Sequence, residues 1–175
     1  MSSYFSAEED DKPPSLPRAQ GAMWNTPRHP SDLYTPRFVR GRGKDKVGLC
    51  PICCESVQRG GEGKKVWLAM KVSAFNYHMQ YYHGISSAST QPFSPPLAFR
   101  VVARVAAKNE KSEIEEGKCH KCKKWIPLES IRDTELKVKE LFWWKHAATC
   151  HRESRLEGER DIFLEDDVWK KLRNI

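Results

Sequence analysis

One cysteine–histidine spacing, used twice, constrains this chain more than any other feature. Cys50-Pro51-Ile52-Cys53 is followed after 24 residues by His78 and, after four more, by His83. Cys119-His120-Lys121-Cys122 is followed after 23 residues by His146 and, after four more, by His151. A repeated C-x2-C-x(23–24)-H-x4-H pattern reads as two supersecondary units, each organised on metal ligands. A C-x2-C turn brings two thiolates to one point, and a helical ligand pair completes a tetrahedron around an ion. Sulfur with imidazole selects Zn2+ over magnesium or calcium, so two zinc ions are expected.

Composition makes such staples necessary. Hydrophobic residues are 39% of the 175 and charged residues 30%, against a usual apolar share of about 45–50%. Structural zinc contributes about 10–16 kcal/mol per site in small domains, enough to stabilise a thin core. The expected fold is therefore a small α+β zinc-stabilised domain with two C2H2/C2HC-like units and long Cys–His spacers. No βαβ pattern surrounds either C-x2-C, which argues against a redox pair. The first residues, Met1 to Asp11, have neither a basic start nor an apolar segment, so no secretory leader is read there. The longest apolar run, Val66 to Met70, is far below the roughly 18 residues of a membrane span. The reading is an intracellular protein with no membrane partner.

Six of eleven prolines lie in residues 1–36, and residues 1–32 are read as a disordered Pro-rich arm. Residues 33–91 form the first zinc-binding unit with its basic lead-in, 92–110 a connecting strand, and 111–151 the second unit. In the strand, Leu97, Phe99, Val101, Ala103 and Val105 alternate with other residues, which places Arg100 and Arg104 on the outer face. The charged stretch 108–118 reads as a loop. The tail, 152–175, offers one short helix through Ile162, Phe163, Val168, Trp169 and Leu172.

Both histidine pairs fall where helices are expected. Ser73 serves as N-cap and Gly84 as stop for the first, with Val72, Phe75, Met79 and Tyr82 as its apolar stripe. Leu136, Trp143, Ala147 and Cys150 form the second stripe, capped by Asp133 or Thr134. Phe75 and Trp143 each precede the first histidine by three residues. The ligands are Cys50, Cys53, His78 and His83 in one site, and Cys119, Cys122 and His146 in the other. Helix geometry favours Cys150 as the last ligand and the repeat favours His151, which stays the alternative. Cys54 is a spare thiol, and His120 and His29 are surface histidines. Four protein ligands close each site, and no hydrolase or nucleotide motif is present, so no enzyme and no small-molecule substrate are expected.

Charge is uneven. Residues 37–83 carry nine basic and three acidic side chains, which accounts for most of the chain's +7. Arg37, Arg40, Arg42, Lys44 and Lys46 alternate with small residues before the first cysteine and would track phosphates as an extended strand. Finger-like placement adds Lys71 and Tyr77 from the first helix. A DNA-binding first unit and a scaffolding second unit follow; the competing class is a protein-interaction module.

Several segments are similar to a known family. Tyr34-Thr35-Pro36-Arg37-Phe38-Val39-Arg40-Gly41, Gly48-Leu49-Cys50-Pro51-Ile52-Cys53, Lys71-Val72-Ser73-Ala74-Phe75-Asn76-Tyr77-His78-Met79 and His83-Gly84-Ile85-Ser86 carry the likeness. So do Pro92-Phe93-Ser94-Pro95-Pro96, Cys119 to Ile126 and Trp143 to Ala147. They resemble the C-terminal domain of fungal transcription regulators of ustilagic acid biosynthesis, over about residues 33–151. The resemblance implies a nuclear, zinc-containing transcription regulator whose partner is DNA.

Overall fold

A computed structural model describes residues 21–29, 31–153 and 156. The residues just upstream of each C-x2-C form antiparallel hairpins, and a helix follows each hairpin. The first sheet runs in the order β1 (Met23–Trp24), β2 (Phe38–Arg40), β3 (Val47–Leu49) and β4 (Trp67–Ala69), all antiparallel. Helix α1 spans Ala74–Tyr81. The second sheet contains β5 (Phe99–Ala103), β6 (Glu113–Lys118) and β7 (Trp125–Pro127), again antiparallel and in that order. Helix α2 spans Leu141–Cys150 and packs on α1. The result is a small α+β fold.

The repeat extends well beyond the cysteines and histidines. Leu49 pairs with Trp67 and Lys118 with Trp125, each directly before its first cysteine. Cys50 N–H then bonds Val66 O, and Cys119 N–H bonds Lys124 O, both at 2.9 Å. On the helices, Phe75 and Trp143 are buried at matching positions, as are Met79 and Ala147 one turn later. Burying such side chains contributes roughly 1.5–3 kcal/mol each. Leu33, Ile52, Phe75, Met79 and Ile85 close over Cys50 and Cys53 as one core cluster.

The two units meet through the 84–94 segment. Gly84 has φ +68°, and a Cβ there would collide with the Trp144 indole of α2. The backbone turn therefore requires glycine on two counts, conformational and steric. Trp143 Nε1–H donates to Ser94 O at 2.8 Å, and Ser86 Oγ–H donates to Arg152 O at 2.7 Å.

Several sequence expectations change. The arm expected to be disordered to residue 32 is ordered from Gly21 onward where described: β1 pairs with β2, and Asp32 is fully buried. Backbone N–H groups of Arg28, Tyr34 and Thr35 donate to its carboxylate, so a polar turn replaces the missing apolar surface. Residues 1–20 lie outside the described set, as does the expected helix over 162–172. The connecting strand covers only 99–103 of 92–110, and the apolar residues expected to be covered are exposed along with Arg100. Phe99 and Val101 are 60% and 64% exposed, while Arg100 lies against Glu116 and Trp125. Alternation fixed the period but not whether a face is covered. The expected loop over 108–118 holds strand β6, because backbone pairing to β5 and β7 outweighs its charged composition. Helix α2 begins after Glu140 rather than at Asp133 or Thr134, which leaves Leu136 outside it. In the first stripe, Val72 is 63% exposed and Tyr82 38% exposed, since both lie beyond the ends of α1.

Candidate metal centres and basic surface

The first C-x2-C follows β3 directly, so the sheet fixes where the turn begins. Cys53 N–H approaches Cys50 Sγ at 3.4 Å inside that turn. His78 comes from the last half of α1. His83 lies past its C-terminus, where His83 N–H bonds back to His78 O. On a continuous helix an i, i+5 pair would diverge by about 140°, and leaving the helix before His83 lifts that restriction. His83 Nε2 lies 3.3 Å from Cys50 Sγ, 3.2 Å from Cys53 Sγ and 3.1 Å from His78 Nε2. Cys53 Sγ lies 3.4 Å from His78 Nε2. A tetrahedral zinc with sulfur and nitrogen ligands has edges of roughly 3.3–3.8 Å. The four donors therefore fit a cation. Without one, the Cys53 thiol donates to Cys50, lowering the Cys50 thiol below its ordinary value and raising Cys53 to about 11. A bound cation reverses that, since a coordinating thiol is deprotonated outright.

The second centre repeats the plan with one extra donor. Cys119, Cys122, His146 and Cys150 place four ligand atoms within 4.8 Å of one another. Cys119 Sγ is 3.9 Å from Cys150 Sγ, and Cys122 Sγ is 3.7 Å from His146 Nε2. Burial, then hydrogen bonding to Cys119, raises the Cys150 thiol to about 11. His151 also reaches Cys119: its Nδ1 lies 3.4 Å from the sulfur, on the side shared with His120. Burial, then the neighbouring His120 and His146, lowers the His151 imidazole to about 4. His83 and His151 thus contact corresponding cysteines, while Cys150 occupies the place Tyr82 takes in the first unit. There Tyr82 stacks on His78 at 5.1 Å instead of offering a donor.

Cys54 stays outside both groups. Its thiol donates to Pro51 O at 3.5 Å, and burial pushes it up to about 12. His29, expected as a surface histidine, contacts Thr90 Oγ1 through Nε2 at 2.7 Å, a partner 61 residues away.

The basic residues divide into two groups. Arg42 and Lys44 are exposed on the β2–β3 loop, beside the half-buried Lys46. Gly41 and Gly43 take φ of +77° and +56°, so the segment turns back as a hairpin rather than running extended. Lys71 is exposed three residues before α1, and Tyr77 is 56% exposed on the helix itself. Arg37 differs: its guanidinium donates to Thr35 O at 2.6 Å and to Asp32 O, and burial lowers its pKa. Arg40 lies over the Trp67 ring at 4.4 Å. Arg37 and Arg40 therefore each have a partner within the fold that local spacing does not reveal.

Among the described residues no helix is long and apolar enough to cross a membrane. The family profile described as "Transcription regulator Rua1, C-terminal" matches residues 28–151. The chain is 44% identical over 125 residues to "Meiotic expression up-regulated protein 26" of Schizosaccharomyces pombe, an alignment covering 69% of the chain and 34% of that protein. It is 39% identical over 126 residues to "Transcription regulator rua1" of Mycosarcoma maydis, covering 71% of the chain and 14% of that protein. The chain thus spans about a third and about a seventh of these relatives. No solved structure matches it.

Proposed function

This chain belongs to the family of transcription regulator Rua1 C-terminal domains, and from that membership we propose that it is a nuclear, zinc-stapled, DNA-binding module. Cys50, Cys53, His78 and His83 hold one Zn2+, and Cys119, Cys122, His146 and Cys150 hold the other. The ions supply stability and no chemistry: four protein donors leave no open position for a substrate. Within this reading no catalysis takes place, and the partner is duplex DNA rather than a small molecule.

The observation that carries the reading is the basic surface of the first unit. Arg42, Lys44, Lys71 and Tyr77 are exposed and Lys46 is half-buried, all within a segment of net charge +6. The Met70 N–H bond to Lys46 O brings Lys71 close to the β2–β3 loop. Such side chains contact phosphates, and the exposed face of α1 supplies the base-edge contacts. Arg37 and Arg40 brace the hairpin that carries them. The second unit, with Phe142, Trp143 and Trp144 turned at least partly inward, is scaffold.

Titrating the zinc-loaded chain with random duplex DNA at two salt concentrations tests this. Binding should weaken with salt at a slope of about 0.9 per phosphate neutralised. No binding, or a flat salt response, rejects DNA as the partner.

A further inference from the structure

We infer that strand β5 is a docking edge for an extended protein segment that combines apolar with long basic side chains. The inference concerns the second unit and does not depend on DNA binding by the first.

Strand β5 lies at the end of its sheet, and among the described residues nothing pairs with its other edge. Arg104 N–H bonds Ser112 O and Lys118 N–H bonds Ala98 O. Even-numbered residues therefore bond to β6, and the N–H and C=O groups of Phe99, Val101 and Ala103 face the free edge. Such an edge is a template for another strand. Natural edges are usually blunted by lysine, proline or inward charge. This one carries Phe99-Arg100-Val101-Val102-Ala103, and its two nearest charges are already matched. Arg100 pairs with Glu116 at 2.6 Å and Arg104 with Glu110 at 2.8 Å.

The same residues present an apolar face. Leu97, Phe99 and Val101 are 50%, 60% and 64% exposed, and Val105 is 97% exposed. Cross-strand pairing sets Phe99 beside Gly117, Val101 beside Glu115 and Ala103 beside Glu113 on one face of the sheet. Gly117 pairs in turn with Ile126. The apolar row therefore has an acidic border. Glu115 also lines a pocket with Glu129, Glu135, Lys111 and Lys139, in which Lys111 is already paired with Glu129.

That border chooses the occupant. Glu113 and Glu115 repel phosphate, so nucleic acid does not suit this face. A second copy brings a like net charge of +7 and leaves both Glu115 carboxylates unmatched. A strand added at β5 lies two strand spacings, about 4.8 Å each, from β6. Long Lys or Arg side chains can cross Val101 to reach Glu115, whereas β-branched apolar ones cover Phe99 and Val101. The occupant is thus an extended segment with apolar and basic residues on one face.

The test is a fluorescence-anisotropy titration of the full zinc-loaded chain with the labelled peptide Val-Thr-Lys-Thr-Val-Thr-Lys and with its counterpart bearing Glu in place of Lys. The expected result is binding of the lysine peptide, weakened about tenfold or more by Val101→Asp and by Glu115→Lys. Unchanged melting curves for both variants confirm that they fold. Amide shifts in NMR spectra should centre on Phe99, Val101 and Ala103. Equal binding of the two peptides, or undiminished binding by Val101→Asp, overturns the inference. So does concentration-dependent self-association that Val101→Asp abolishes, which would assign the edge to a second copy.

Discussion

The guanidinium of Arg40 lies 4.4 Å from the ring centroid of Trp67. Arg100 repeats the contact over Trp125 at 4.3 Å. In each unit the arginine sits on the strand before, and the tryptophan on the strand after, the one that leads into the C-x2-C turn. The pair therefore spans the strand that leads into the first cysteine and ties together both sides of the C-x2-C turn. A cation over tryptophan is worth about 0.5–2 kcal/mol, more as it becomes desolvated.

Arg40→Ala should accordingly lower the unfolding free energy in urea by about 0.5–2 kcal/mol. The exposed Arg42 gives the contrast. Arg42→Ala should leave stability within about 0.5 kcal/mol and reduce the salt slope of DNA binding by about 1. Equal stability losses in the two variants would deny the division between structural and contacting arginines.

The sequence made this division hard to see. Arg37, Arg40 and Arg42 look alike in a run of alternating basic residues. What separates them is long-range: the Asp32 turn for one, Trp67 for another and solvent for the third. The two Cys–His clusters were legible because their members keep a fixed local spacing at each end. Phe75 and Trp143 were legible because helical period ties them to His78 and His146. The open apolar side of β5 was not, since a period of two does not say whether anything packs on the strand. Strand β6 was missed because Glu113, Glu115 and Glu116 carry no strand signal, and what holds them in a strand is backbone pairing to β5 and β7.

Gly84 should be intolerant. Gly84→Ala forces a side chain into φ +68° and into the Trp144 ring, at a cost of about 1–3 kcal/mol for the backbone conformation alone. Urea unfolding should show the loss. An unchanged midpoint would mean that the two units are not joined through this turn.

Asp32 sets a pH dependence. Burial raises its carboxyl pKa, but the hydrogen bonds from Thr35, Arg28 and Tyr34 outweigh burial and hold it below its ordinary value of 3.8. A carboxylate with a depressed folded pKa stabilises fully above its unfolded pKa and loses that contribution as pH falls through the folded one. Asp32→Asn should therefore be destabilised by about 1–3 kcal/mol at neutral pH. The deficit relative to the native chain should stay constant down to about pH 4 and shrink below it. A deficit that grows toward acid would have the wrong sign for this mechanism.

The two donors competing for the second centre are separable. Cys150→Ser should remove one zinc per chain, because Cys150 belongs to the four-atom group. His151→Ala should keep the stoichiometry and weaken affinity about 10–100-fold, as loss of an outer-shell partner does. The opposite pattern, zinc lost with His151 and retained without Cys150, would assign the fourth position to His151.

The central claim is that two closed Cys–His centres hold this fold together, and native mass spectrometry of the zinc-loaded chain tests it most directly. The account requires two zinc ions per folded chain, and one each for Cys50→Ser and Cys119→Ser. A folded native chain carrying one ion or none would contradict it.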